Sequence, residues 1–150
     1  MKKRNDKGFT LVELIVVLVI LAILAAILVP ALLGYIDRAR EKQVTTNAEA
    51  ALVAAQGKMA DAYKNFDDPA DHVTISQIVG LTDIAEKSFE CQYTATAYNS
   101  AKPSRSMYKI TKFAYYSPEY KQTAVWSSSD GQWVVTDGKD LAKGGSIVVP

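Results

Sequence analysis

Between Leu14 and Ile36 lie 23 consecutive residues without a charged side chain. A helix of that length rises about 34 Å at 1.5 Å per residue, enough to cross the hydrocarbon core of a bilayer. Ahead of it, Met1 to Gly8 reads MKKRNDKG, with four basic side chains (Lys2, Lys3, Arg4, Lys7) against one acid, Asp6. A basic flank before an apolar helix keeps the N-terminus cytoplasmic and sends the rest across. From Asp37 onward the balance is that of a soluble domain, 13 basic against 14 acidic residues. The chain thus reads as a membrane segment followed by one modest head.

A cleaved secretory signal shares the charged start and the apolar stretch. Three features oppose it. Glu13 sits inside the apolar segment, the apolar run outlasts a signal, and Ala22, Ala25 and Ala26 lead into further apolar helix rather than a polar mature start. A lipoprotein signal fails because the single cysteine is Cys91. A plain uncleaved anchor leaves Glu13 unexplained. A carboxylate at membrane depth costs roughly 2.5–3.5 kcal/mol on insertion scales, less near an end, and calls for a partner.

The run Gly8-Phe9-Thr10-Leu11-Val12-Glu13, after a basic leader and before a long apolar helix, resembles the N-terminus of type IV pilins and their relatives. The resemblance covers roughly residues 1–40. It implies removal of leader 1–8 by a prepilin peptidase cutting between Gly8 and Phe9, and N-methylation of Phe9. It implies that Glu13 faces the N-terminal amine of a neighbouring subunit in a filament. It assigns Pro30 to a helix-distorting proline, with Ala22 to Pro30 able to unwind on packing.

Elementary chemistry fits these roles. Gly8 has no side chain to keep a protease from its backbone. Cutting there removes the basic leader and creates an amine near Glu13. Amine and carboxylate are each costly alone in an apolar interior and tolerable as a pair, so pairing across subunits fixes axial register. The competing reading of Glu13 is an interfacial carboxylate satisfied by headgroups or water. For Pro30, beside Gly34, it is a simple kink.

The helix continues past the membrane. Ile36, Ala39, Val44, Ala48, Ala51, Leu52, Ala55, Met59, Ala62, Tyr63 and Phe66 recur three and four apart, one apolar stripe. Asn65-Phe66-Asp67-Asp68-Pro69 stops it. One helix over 9–64 is therefore expected, its first half (9–36) for membrane and assembly. Gln56-Gly57-Lys58-Met59 lacks the glycine and hydroxyl of a phosphate loop.

Residues 65–150 read as the head. Thr74-Ile75-Ser76-Gln77 has capping-box form and predicts a short helix from Ile75 to Val79 ending at Gly80, with a further helical turn at Asp83 to Glu86. Period-two segments predict strands at Ser88–Tyr98, Met107–Tyr116, Gln122–Ser127 and Gln132–Thr136, with a tight turn at Asp130-Gly131. The tail 141–150 reads equally as an edge strand or a packed flap. A small antiparallel sheet needs one face covered, and the helix stripe supplies the cover. The fold class is α+β: a long N-terminal helix whose second half packs on the sheet, the pilin fold of the resemblance.

With one histidine, one cysteine and a net charge of +1, most zinc and nucleophilic constellations are excluded, and nothing draws a nucleic acid. Asp67, Asp68, Asp71 and His72 match no metal spacing and read as a solvated loop. Asp130, Asp137 and Asp140 are kept as metal candidates, because related pseudopilins carry calcium near their C-terminal loops. Cys91 reads as a buried small hydrophobe. The five tyrosines from Tyr98 to Tyr120 read as packing and subunit contacts, or as an adhesive surface.

The expected function is a non-enzymatic, cofactor-free structural subunit of a type IV pilus, polymerising into a surface fibre for adhesion, motility or biofilm. Its expected partners are copies of itself, the prepilin peptidase, the pilus assembly machinery and, before assembly, the lipid bilayer. Its expected locations are the cytoplasmic membrane and then the cell surface. The alternatives are a pseudopilin of secretion or DNA uptake and a membrane-anchored binding domain that never polymerises. Without a cysteine pair, a disulfide-closed C-terminal loop is excluded, which resembles the clostridial pilins.

Overall fold

The computed structural model describes residues 8–65, 67–84, 89–96, 99–102, 104–144 and 147–148. Residues 1–7, Phe66, Glu86, Ser88, Tyr98 and the side chain of Asp71, all invoked above, lie outside the described residues. Helix α1 runs Leu11–Asn65, and the chain divides into two compact units, Met1–Ala39 and Arg40–Pro150.

In the first unit the helical side chains are exposed all round, Leu18 and Leu28 each at 64%. No single apolar stripe exists here because apolar residues occupy every face. An 18-residue window of α1 reaches a mean hydropathy of 3.3, so the helix is long and apolar enough to cross a membrane. Ile36 and Ala39, expected to continue the buried stripe, are exposed with this unit.

In the second unit the stripe is buried. Val44, Ala48, Ala51, Leu52, Ala55 and Met59 share one core with Cys91, Tyr93, Phe113, Tyr115 and Ala124 of the sheet. Alanines on the helix leave room for rings on the sheet, so volumes alternate across the contact. Asn47 also lies inside the stripe, its amide oxygen accepting from Gln43 Nε2 at 3.0 Å. Connector residues Val73, Ile78, Ile84 and Phe89 close the end of this core.

The connector is more ordered than its composition suggests. Pro69–His72 forms a one-turn helix, α2, with proline in the first position where no donor is needed. Helix α3, Ile75–Leu81, carries the expected capping box: Thr74 Oγ1 accepts from Gln77 N and Thr74 N donates to Gln77 Oε1. It runs through Gly80 rather than ending there, and Thr82 is extended. The expected turn at Asp83 to Glu86 is absent from its described part, because Asp83 and Ile84 are non-helical and Ile84 is drawn into the core.

Among the described residues the sheet has five antiparallel strands in the order β4-β3-β2-β1-β5: β1 Glu90–Thr94, β2 Lys112–Ser117, β3 Gln122–Ser127, β4 Trp133–Asp137 and β5 Ile147–Val148. Pairings Tyr93↔Phe113↔Trp126↔Trp133 and Cys91↔Tyr115↔Ala124↔Val135 put these rows on the same face, the one that meets α1. Strand β1 is shorter than expected. Thr94 O accepts both Thr111 N, at 2.8 Å, and Thr111 Oγ1, at 3.0 Å, and the ladder ends there.

The expected strand start at Met107 is replaced by a 3-10 turn, Arg105–Tyr108. Met107 and Tyr108 are both buried, which successive residues of one strand cannot achieve on one face. The turn sets both on Ala62 and Tyr63, with the Tyr63 and Tyr108 rings 5.2 Å apart. The connection at Asp130-Gly131 is wider than a two-residue turn. Ser127 O accepts Asp130 N and Gly131 N, and Gly131 takes φ +67°.

The described part of the tail is both flap and edge strand. Strands β4 and β5 lie at opposite edges, so the chain between them must cross the sheet. It does so over the outer face: Leu141, in a second 3-10 turn (Leu141–Gly144), is buried, and Lys139 Nζ lies 5.7 Å from the Tyr116 ring centre and 2.7 Å from the Glu90 carboxylate. At its start Thr123, fully buried, donates to Gly138 O at 2.6 Å and accepts from Asp140 N at 3.0 Å. Tyr93, Tyr108 and Tyr115 are buried, so these tyrosines serve packing.

Candidate functional site

The residues that the motif singles out lie at the start of the first unit. Gly8, Phe9 and Thr10 precede the helix and are non-helical and exposed, Phe9 at 79%. A Cβ on Gly8 would meet nothing within 4 Å. The peptide bond between Gly8 and Phe9 therefore lies in open, non-helical backbone, the form a protease can engage.

Helix α1 begins at Leu11 rather than Phe9, and Thr10 is the reason. Thr10 Oγ1 accepts from Glu13 N at 3.3 Å, while Thr10 N and Thr10 Oγ1 donate to Glu13 Oε2 at 2.8 and 2.7 Å. This is a capping box, satisfying donors that a helix start would leave orphaned. Thr10 O then accepts the Leu14 N–H at 3.3 Å. Sequence reasoning missed Thr10, although the Thr-x-x-Glu spacing that identified Thr74-Gln77 was legible here too.

Pro30 sits inside α1, and the helix continues through it and through Gly34. In the single chain Ala22 to Pro30 is wound. Pro30, Ala31, Gly34, Tyr35 and Arg38 border an open recess of about 310 Å³.

The acidic candidates do not gather. Asp130 occupies the β3–β4 turn with Ser129 Oγ at 3.2 Å, whereas Asp137 ends β4 and accepts from Gln122 Nε2 at 3.0 Å. The length of β4 separates Asp130 from Asp137 and Asp140. His72 Nε2 lies 3.2 Å from Asp67 Oδ2, a local tie across α2. Among the described residues, no group of three or more His, Cys, Asp or Glu is placed to hold a metal ion. Burial pushes the Cys91 thiol well above its ordinary range, with Glu90 adding to the effect.

Residues 3–29 match the family model of the prokaryotic N-terminal methylation motif. This is the class III leader of type IV pilins. No curated protein and no solved structure matches the chain. The match, confined to residues 3–29, supports a pilin-like or pseudopilin N-terminus of the kind that a prepilin peptidase processes. The apolar helix fits a membrane anchor.

Proposed function

We propose that this chain is a structural subunit of a type IV pilus. The peptidase cuts between Gly8 and Phe9 and methylates the new amine. The mature chain waits in the cytoplasmic membrane with its head outside, then enters a homopolymer built on its N-terminal helix. The head, residues 65–150 with the second half of the helix, then forms the outside of a surface fibre serving adhesion, motility or biofilm. The observation that carries the reading is Glu13, a carboxylate held at the start of a helix whose following 23 residues are uncharged and exposed. Lipid covers that surface in the monomer, and neighbouring helices cover it in a fibre. In the fibre the carboxylate is deprived of water, and an unpaired charge there costs several kcal/mol. The amine of an adjacent Phe9 answers it and sets register. Pro30 has no backbone N–H to donate, and that gap in the helical ladder lets the segment around it adapt to its neighbours.

The test is Glu13→Val, with electron microscopy of sheared surface material labelled by antibody to the head. Insertion and cleavage should persist and fibres should be lost. Normal fibre number from Glu13→Val refutes the register role. Absence of wild-type fibres, with secretion or DNA uptake lost on deletion, assigns the chain to the pseudopilins.

A further inference from the structure

Two surfaces of opposite charge lie at different levels of α1 within the second unit. At the lower level Ala50, Val53, Ala54 and Gly57 line an open groove of about 770 Å³ together with Leu81 and Ile84. Val53 is 71% exposed and Leu81 57%; with Val134 they are the exposed large apolar side chains of this unit among the described residues. Apolar side chains exposed together in one groove mark an interaction site, where a single one would not. Glu49 and Asp83, both exposed, border the same groove, and among the described residues neither has an ion-pair partner. From Ala50 to Tyr63 the helix rises about 20 Å, and at Tyr63 the surface is basic. Residues 99–112 hold Lys102, Arg105, Lys109 and Lys112 and no acid. Arg105 Nε donates to Tyr63 Oη at 3.2 Å, which leaves the two terminal amino groups of the guanidinium for a partner. Nearby acids are held by their own neighbours, Asp61 by Lys64 at 2.9 Å and Asp67 by His72 at 3.2 Å.

We infer that the groove receives the basic loop of a second copy of this chain: Lys102, Arg105 and Lys109 of one copy lie over Val53 and Leu81 of the next, with their charges on Glu49 and Asp83. Lysine and arginine suit such a groove, because their stems cover apolar surface while their heads reach a charged rim. The charges match in sign, and both halves of the contact are present on every chain. The two surfaces differ, so the contact is heterologous. Between copies with parallel helices it displaces each copy about 20 Å along α1 from the last, so it propagates and cannot close into a ring. The inference rests on the homopolymer reading and adds to it the surfaces by which the heads meet.

The experiment reverses the charges in the full chain, counting labelled fibres and confirming insertion and cleavage after Gly8 by mass spectrometry of the membrane fraction. Glu49→Lys with Asp83→Lys should be inserted and cut yet yield roughly tenfold fewer fibres, since like charges facing across an interface oppose docking. Lys102→Glu with Arg105→Glu and Lys109→Glu should do the same. Both sets in one chain restore opposite charges and should return the wild-type number. A second measurement leaves the other charges in place: Asp83→Cys with Arg105→Cys, the sheared fibres treated with a mild oxidant. Each copy then links to one copy on either side, so a non-reducing gel should show a ladder beyond dimers, to which the buried Cys91 adds nothing. Wild-type fibre number from either reversed set overturns the inference. So does a loss that the combined chain fails to recover, which assigns the groove to another occupant such as the assembly machinery. Cross-linking that stops at dimers, or does not occur, overturns it too. Absence of fibres from the wild type defeats the homopolymer reading itself, whereas wild-type fibres unaffected by reversal defeat only the docking of heads.

Discussion

Thr123→Val tests how the C-terminal crossing segment is fastened. The substitution keeps the side-chain shape and deletes one hydroxyl. That hydroxyl is fully buried and bonded twice, to Gly138 O at 2.6 Å and from Asp140 N at 3.0 Å. Valine removes both bonds; Gly138 is exposed and Asp140 half-buried, so water answers part of the loss and each bond is worth about 0.5–1.5 kcal/mol. Gly138 cannot easily turn its carbonyl elsewhere, since its N–H is held by Lys121 O at 2.7 Å and its φ is +84°. The expected loss is about 2 kcal/mol, which for a unit of this size lowers Tm by roughly 6–10 °C. Thermal unfolding of the soluble fragment Arg40–Pro150 by circular dichroism measures it, and amide exchange at Asp140 reports whether the crossing segment has lifted. The exposed Lys139–Glu90 pair, by contrast, contributes little, as surface ion pairs do. A Tm within about 2 °C of wild type would show that the segment is held by Leu141 and strand β5 instead, and that the buried hydroxyl is not the clasp.

Three further outcomes are expected. Mass spectrometry of the mature protein should find a chain beginning at Phe9 and one methyl heavier than its sequence; a bulky residue at position 8 should leave the leader uncut, and a chain starting near Ala26 would contradict the pilin reading. Leu52→Asp should cost roughly 4 kcal/mol or more and unfold the head, since Leu52 is 8% exposed within the main core; a melting curve unchanged by the substitution would show that the helix stripe faces water at this position. Burial raises the folded Cys91 pKa above the ordinary thiol value of 9.0, so the stability that this group contributes is present below that pH and lost as pH rises above it. Cys91→Ala should flatten this alkaline decline in Tm relative to wild type, and reducing agent should leave Tm unchanged, an alkaline slope identical in both proteins counting against the assignment.

The N-terminal segment was legible because its information is local. Charge, apolar length, Gly8, Phe9 and Glu13 act through solvent transfer and neighbouring backbone, and neither needs a distant contact. The stripe from Val44 to Ala62 and the capping box at Thr74 were legible for the same reason, since helical period and caps depend on residues three or four apart. Strand β3 was read to its ends, but the elements bordering the loops were not. Met107 and Tyr108 carry strand propensity, yet a 3-10 turn is favoured because both rest on Ala62 and Tyr63, more than forty residues away. Only the tertiary structure determines that the tail crosses the sheet, since β4 and β5 occupy opposite edges and Thr123 offers a buried hydroxyl where the crossing begins. Likewise the sequence marks three acids, Asp130, Asp137 and Asp140, but strand β4 stands between the first and the others, and only chain geometry sets that separation. Local periodicity and transfer energy are written residue by residue. Strand order, crossing path and the choice among competing burial partners depend on all the contacts at once.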